Sequence, residues 1–78
     1  MSALALFVEV ILPLPLQGTF TYRVPRDLEH YVSLGKRVVV QFGRKKLYTG
    51  IIAETHDRPP KGYQAKYIEE LLDDEPIV

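Results

Sequence analysis

Strict alternation of polar and apolar residues marks one segment of this 78-residue chain as a β-strand. Between positions 19 and 24, Phe20, Tyr22 and Val24 alternate with two threonines and an arginine. Successive side chains of a strand point to opposite faces, so this order predicts one apolar face and one polar face. Pro25 follows directly and ends the run. The strand at 19–24 is the most clearly marked element of the sequence.

Apolar and β-branched residues predict three further strands, at residues 7–12, 37–42 and 47–55. Residues 66–72 favour either a fifth strand or a short helix, because glutamate and leucine are good helix formers. Residues 27–34 favour a turn or a short helix. Gly50, inside the fourth strand, predicts a β-bulge or a close approach of the backbone.

Several short strands at close spacing, with turn residues between them, predict an all-β or mainly β fold with at most one short helix. We expect a small, partly closed barrel of five to six strands, formed by residues 1–72 as one domain. The chain has no cysteine, so its core must supply the stability that disulfides or thiolate metal sites give other small domains. Residues 73–78 are predicted to begin a linker to C-terminal domains.

The apolar segment at 3–16 does not predict a membrane span. Glu9, Pro13 and Pro15 interrupt it, and no lysine or arginine precedes it. It is also shorter than the roughly 20 residues that a helix needs to cross a bilayer, and it lacks the basic start of a signal peptide. We therefore expect a cytoplasmic protein without a membrane partner.

The formal net charge is zero, yet the charges are segregated along the chain. The basic middle has no acid between His30 and Ala53 and contains Lys36, Arg37, Arg44, Lys45 and Lys46. The acidic end contains Glu69, Glu70, Asp73, Asp74 and Glu75. An isoelectric point of 6.7 is well below the value of about 9 that marks many nucleic-acid-binding domains. Any contact with phosphates should therefore be local.

The sequence contains no set of residues typical of an enzyme. It has neither the P-loop motif nor the G-x-S-x-G motif of serine hydrolases. His30 and His56 stand far apart with no cysteine, so both are predicted to be surface residues and no metal site is expected. The carboxylates at 73–75 are interpreted as a solvated acidic run. We predict no catalytic activity and no cofactor for this segment.

The basic turn Arg44-Lys45-Lys46 after Gly43 has two interpretations. It could contact phosphates, with the glycine allowing a ligand close to the backbone. It could equally provide solubility and protect a sheet edge. The aromatic residues Phe20, Tyr22 and Phe42 also have two interpretations, because such residues at strand spacing form either a core or a stacking platform for bases.

Five blocks of this sequence resemble, in order and spacing, the N-terminal domain of the PriA family of primosomal replication-restart helicases. The blocks are Leu12-Pro13-Leu14-Pro15, Thr19-Phe20-Thr21-Tyr22 with Val24-Pro25, the run from Gly35 to Gly43, Gly50-Ile51-Ile52, and Lys66 with Leu72-Asp73-Asp74-Glu75-Pro76. The resemblance covers nearly the whole chain.

This resemblance implies an OB-like DNA-binding domain that recognises the 3′ end of the nascent leading strand at a stalled replication fork. DNA is the implied partner, as a fork, a recessed 3′ end or a single-stranded end. The rest of the helicase and other primosome proteins are implied as further partners. ATP and zinc belong to parts of those helicases outside this sequence. The alternative is a protein-interaction β-module that docks on the helicase core or a primosome partner.

The resemblance also implies a pocket for the DNA 3′ end, formed by Phe20, Thr21, Gly43 and Lys66. Phe20 would stack on or shape the wall, Gly43 would leave room for the terminal sugar, and Lys66 would meet a phosphate. Thr21 departs from the family, whose best-known members carry aspartate there, and threonine offers one hydroxyl without charge. Neighbours in a regular strand also point to opposite faces, so Phe20 and Thr21 should not share one side of the strand.

Overall fold

The computed structural model describes residues 4–72, and five strands in this range form one sheet. The strands are β1 (Phe7–Ile11), β2 (Phe20–Arg23), β3 (Arg37–Gln41), β4 (Leu47–His56) and β5 (Glu70–Leu71). Their order in the sheet is β2-β1-β4-β3-β5, and every neighbouring pair is antiparallel. A 3₁₀ helix at Arg26–Leu28 is the one helical element of the described residues. The prediction of a mainly β fold is confirmed.

One face of the sheet forms the core. Its centre consists of residues that are almost fully buried, namely Val8, Val10, Val24, Val38, Val40 and Ile52. The alternation predicted for the second strand is confirmed, because Tyr22 and Val24 are buried while Thr21 and Arg23 lie on the other face and are only partly buried. Phe20 is half-buried, since it lies at the end of the strand.

Residues 66–72 form a strand-like segment that lies between the two edges of the sheet. On one side the Arg23 N–H donates to the Lys66 carbonyl (2.7 Å), and the Ile68 N–H donates to the Arg23 carbonyl (2.9 Å). On the other side the Glu69 N–H donates to the Val39 carbonyl (2.7 Å), and β5 pairs with β3. The sheet is not closed by a continuous ladder, so the barrel is partly closed, as predicted.

The strand interpretation of residues 66–72 is therefore confirmed and the helix interpretation is wrong. Backbone pairing decides the outcome, because the segment pairs first with Arg23 and then with β3. Ile68 and Leu71 both pack in the core, but residues three apart would also share one face of a helix, so burial alone does not distinguish the two interpretations. Helix propensity is a weak preference that tertiary packing overrides.

The backbone of β1 lies very close to Gly50. The prediction of a close backbone approach at this glycine is therefore confirmed. A Cβ atom at this position would lie 2.7 Å from the Ile11 carbonyl oxygen and would also collide with the Val10 side chain. The other prediction, a bulge at Gly50, is wrong. The irregularity lies at Ala53, because Glu9 pairs with Glu54 while the next residue, Val10, pairs with Ile52.

The bulge at Ala53 changes which residues of β4 face the core. Ile52 is buried in the core, and alternation without the bulge would turn Glu54 and His56 to that face as well. The extra residue instead places both on the outer face, beside Glu9 of β1. β-Bulges commonly redirect side chains in this way.

Within residues 4–72, no helix is long and apolar enough to cross a membrane. The predicted linker at 73–78 lies outside the described residues.

The tight contact at Gly50 leads to a stability prediction. Gly50→Ala should lower the free energy of unfolding by about 1–3 kcal/mol, the usual cost of overpacking a core, because the contacted carbonyl of Ile11 cannot move without disturbing the β1–β4 ladder. Urea unfolding measures this difference. Thr49→Ala, at an exposed position on the same strand, should change stability by less than about 0.5 kcal/mol. Equal effects of the two substitutions would contradict the close approach.

Candidate nucleic-acid interface

A cleft with a volume of about 360 Å³ opens along the free edge of β2. It is lined by Phe20, Thr21, Tyr22, Gln41, Phe42, Gly43, Tyr63, Gln64 and Lys66. All four residues of the predicted pocket lie here, although they come from β2, the turn after β3 and the segment before β5. The structure thus brings them together, while their part in binding stays a prediction.

Aromatic side chains form one wall of this cleft. The rings of Phe20 and Phe42 meet edge to face, with 4.8 Å between centroids and 64° between planes, and Phe42 meets Tyr48 in the same manner at 6.4 Å. Edge-to-face contact is a favourable arrangement for aromatic rings. Phe20 and Phe42 are both half-buried, so each contributes to the core and to the cleft. The two interpretations of these residues are therefore not exclusive.

Tyr22 connects the wall to the opposite side of the cleft. Its hydroxyl donates to the Gln41 carbonyl at 2.9 Å, which ties β2 to the end of β3. Burial raises the pKa of the Tyr22 hydroxyl, and the nearby Tyr63 raises it further. Tyr22 therefore remains a neutral donor at physiological pH and holds the base of the cleft in place.

Thr21 faces the cleft with its backbone. The Arg23 N–H and carbonyl point away from β1, to the segment at 66–68, whereas the Val24 N–H bonds to Leu6 on the β1 side. Because this direction alternates along an antiparallel strand, the Thr21 N–H and carbonyl also point away from β1. Within residues 4–72, no backbone group pairs with Thr21 on that side. Its donor and acceptor are thus available to a ligand in the cleft.

The Thr21 side chain lies on the outer face, directed toward Glu9. Its hydroxyl donates to Glu9 Oε2 at 2.5 Å, and Thr19 donates to Oε1 at 2.8 Å. Phe20 and Thr21 can therefore line the same cleft, although their side chains point to opposite faces of β2. Phe20 contributes its ring, and Thr21 contributes its main chain while its side chain binds Glu9.

His56 completes the group of polar residues around Glu9. Its Nε2 lies 2.7 Å from Glu9 Oε2, and the Arg58 N–H donates to its Nδ1 at 3.0 Å. The second contact leaves Nδ1 unprotonated, so Nε2 carries the ring proton and donates it to Glu9. Phe7 stacks on the imidazole at 6.0 Å.

The prediction that both histidines are surface residues is wrong for His56, whose side chain is only 8% exposed. His30 is exposed as predicted. The error follows from the bulge at Ala53, which aligns His56 with Glu9 and is not marked in the sequence.

Burial raises the pKa of Glu9, but hydrogen bonds from Thr21, His56 and Thr19 oppose this effect and leave the pKa below its ordinary value of 4.5. The carboxylate is therefore ionised at neutral pH. It accepts three hydrogen bonds from side chains on both neighbouring strands.

Arg44, Lys45 and Lys46 are exposed on the turn beside the cleft and do not line it. Gly43 (φ 75°) and Lys45 (φ 59°) both have the left-handed backbone conformation that this turn requires. Lys66 is the one cation among the residues that line the cleft. Phosphate contacts by the three turn residues stay a prediction.

Sequence reasoning missed Gln41, Tyr63 and Gln64, which also line the cleft. Tyr63 lies in the proline- and glycine-containing loop between β4 and the last segment, and 59% of its surface is exposed. An exposed aromatic residue in a loop is a weak indication of a binding role. Its position in the cleft depends on how the loop returns to β2, which no local pattern predicts.

Comparison with known proteins shows to which family this chain belongs. The family described as the PriA 3′ DNA-binding domain matches residues 9–78 of the chain. This chain belongs to the PriA 3′ DNA-binding domain family.

The replication restart protein PriA of Bacillus subtilis (strain 168) is a relative of this PriA-type domain, 31% identical over 75 residues. The match covers 92% of the chain but 9% of that relative. The resemblance found in the sequence is thus confirmed. A PriA 3′ DNA-binding domain is a binding module, and DNA is the partner that its family implies.

The Glu9 carboxylate should make the folding stability of this PriA domain depend on pH. A carboxyl whose pKa is lower in the folded state stabilises the fold fully above its unfolded pKa, and the effect is lost as the pH falls through the folded pKa. Stability should therefore decline below about pH 4.5. Glu9→Gln should be about 1 kcal/mol less stable at pH 7 and should lack this part of the decline.

Urea unfolding of both proteins between pH 3 and pH 7 tests this. Glu54→Gln is the control, because its ion pair with Arg58 is exposed and exposed pairs contribute less than about 1 kcal/mol. A stability difference between the wild type and Glu9→Gln that does not change with pH would refute the assignment.

Proposed function

We propose that this chain binds the 3′-terminal nucleotide of a DNA strand in the cleft along β2. The proposal rests on one observation above all: three segments far apart in sequence bring Phe20, Thr21, Gly43 and Lys66 to a single cleft in a chain of this family. The cleft's volume of about 360 Å³ is near the lower end of the range of roughly 300–1,000 Å³ for small-ligand sites. It suits one nucleotide and excludes a duplex.

The chemistry of the cleft supports a separate role for each part of the nucleotide. A base stacks on the aromatic wall of Phe20 and Phe42, which tolerates any base because each has a π-face. The free N–H and carbonyl of Thr21 hydrogen-bond the edge of that base. Main-chain groups offer one donor and one acceptor, and every base presents both, so binding should depend little on base identity.

Gly43 and Lys66 provide for the sugar and the phosphate. No protein atom lies within 4 Å of the position of a Cβ on Gly43, so the space beside its backbone is open to the terminal sugar. Lys66 supplies the positive charge that a phosphate requires. Arg44, Lys45 and Lys46 lie outside the cleft, where they guide the strand without holding its end.

We infer further that this binding serves replication restart. The domain would recognise the 3′ end of the nascent leading strand at a stalled fork and so orient a PriA helicase of which it forms the N-terminal part. Similarity to the replication restart protein PriA of Bacillus subtilis supports this role. The helicase itself and other primosome proteins would then be additional partners.

A second candidate function is docking on another protein domain, which the outer face of the sheet favours. Ile11 of β1 and Ile51 of β4 pair across the two strands, and they are 49% and 46% exposed. Exposed apolar contacts of this kind mark interaction surfaces when they are contiguous. This surface is separate from the cleft, so the two functions are compatible. If the chain binds no DNA end, docking on another protein domain is the candidate function that remains.

The end-binding function predicts discrimination at the 3′ terminus. A single-stranded oligonucleotide with a 3′ hydroxyl should bind at least tenfold more tightly than one with a 3′ phosphate, because among residues 4–72 Lys66 is the one cation that lines the cleft and the added phosphate would have no counter-charge there. Fluorescence anisotropy with both oligonucleotides measures this ratio. Equal affinities would exclude an end pocket.

Salt dependence gives a second measure of the same site. A few phosphate contacts predict a slope of about −1.5 to −3 in log affinity against log salt. Lys66→Gln should reduce the slope by about 0.7, the contribution of one contact on a single strand. Lys61→Gln, at an exposed position outside the cleft, should leave it unchanged.

The proposed role of Thr21 predicts that its side chain is dispensable for binding. Thr21→Val should keep 3′-end affinity within about twofold, since its main chain remains, but should lower stability by about 1 kcal/mol because the hydrogen bond to Glu9 is lost. Thr21→Asp should be destabilised at neutral pH, because two carboxylates would then face each other across β1 and β2. Anisotropy and urea unfolding measure both effects. Loss of binding in a folded Thr21→Val protein would show that the hydroxyl contacts DNA.

A further inference from the structure

A second cleft, with a volume of about 270 Å³, lies beside the first. It is lined by Phe7, Arg23, Pro59, Pro60, Tyr63, Gln64 and Ala65. Tyr63 and Gln64 also line the first cleft, so the two clefts share a wall. A chain that leaves the first cleft over this wall enters the second.

Arg23 gives the second cleft its charge. Its guanidinium lies over the ring of Tyr67, 5.3 Å from the centroid, and stacking of this kind favours a fixed orientation of the planar group. In the part of the chain that the structure describes, no carboxylate forms an ion pair with Arg23. Glu9, on the same face of the sheet, already accepts three other hydrogen bonds. Among residues 4–72, Arg23 therefore has no carboxylate partner, and its donors are available to an anion.

Arg23 and Lys66 are neighbours across the β2 edge. The Arg23 N–H donates to the Lys66 carbonyl at 2.7 Å, yet Arg23 lines the second cleft and Lys66 the first. One cation thus opens to each side of the shared wall. A single anion that crosses the wall would meet both, which is the arrangement that the phosphate between two nucleotides requires.

The remaining lining of the second cleft suits a base. Pro59 and Pro60 present flat, rigid apolar surfaces, and Tyr63 adds an exposed ring. Base stacking on such surfaces contributes affinity without sequence preference. An apolar peptide would fill the same space but would leave Arg23 without a counter-charge, at a cost in desolvation.

We propose that the second cleft binds the nucleotide that precedes the 3′ terminus on the same DNA strand. Arg23, with Lys66, binds the phosphate that links the two nucleotides, and the base packs against Pro60 and Tyr63. This inference rests on the proposed function, because it takes the terminal nucleotide to occupy the first cleft.

Binding as a function of ligand length tests the proposal. The ligands are the nucleoside thymidine and the di- and trinucleotides of thymidine without a 5′ phosphate, all with a 3′ hydroxyl. The dinucleotide should bind about tenfold more tightly than thymidine, the gain expected from one stacked base and one phosphate. The trinucleotide should add less than about threefold. In NMR titrations of the chain, the amides of Phe7 and Ala65 should shift with the dinucleotide but not with thymidine.

Arg23→Gln should remove most of the gain from the second nucleotide and leave the affinity for thymidine, which has no phosphate, within about twofold. Its slope in log affinity against log salt for the dinucleotide should fall by about 0.7. Arg58→Gln is the matched control, because Arg58 is an exposed arginine that directly precedes Pro59 but lines neither cleft, so it should change neither ligand's affinity. If Arg23→Gln does not fold, Arg23→Lys keeps the charge without the planar group and should retain the salt slope at lower affinity.

Two outcomes separate this inference from the function on which it rests. Equal affinities for thymidine and the dinucleotide, or an equal loss for both in Arg23→Gln, would overturn the second subsite while leaving end binding intact. Failure of every ligand with a 3′ hydroxyl to bind would refute the end-binding function and the subsite together.

Discussion

The segment at 66–69 is hydrogen-bonded to both edges of the sheet, and the site depends on this arrangement. It pairs with Arg23 on one side and with Val39 on the other, so it joins β2 and β3, which are not adjacent in the sheet order. Buried Ile68 and Leu71 hold it there by packing into the core. Without these contacts Lys66 and the loop before it would not lie against β2, and neither cleft would exist.

Strand β2 has a different role on each of its surfaces. Its inner face supplies Tyr22 to the core, its outer face supplies Thr21 to the Glu9 network, and its free edge supplies main-chain groups to the cleft. The strand is thus fixed from two sides while its third side stays open. This rigidity matters for recognition, because a donor and an acceptor that are already in place lose little entropy when a ligand binds.

The network around Glu9 gives the Thr21 side chain a structural role on the outer face of the sheet. The carboxylate lies on the neighbouring strand, at Glu9, and Thr21 donates to it. The bulge at Ala53 brings His56 to the same carboxylate. A polar cluster of three strands therefore stabilises the outer face behind the cleft, and it does so without entering the cleft itself.

Period-two patterns and turn residues in the sequence by themselves determined the first four strands and the mainly β class, since these depend on local preference. The family motifs added the four cleft residues. Only the tertiary structure decided the strand outcome at 66–72, the bulge at Ala53, the burial of His56 and the position of Tyr63. Each of these depends on contacts between residues distant in sequence, such as Ile68 with the core and Glu9 with His56. The edge of β2 belongs to the same group, because an unpaired backbone group is defined by what lies beside it and not by its own side chain.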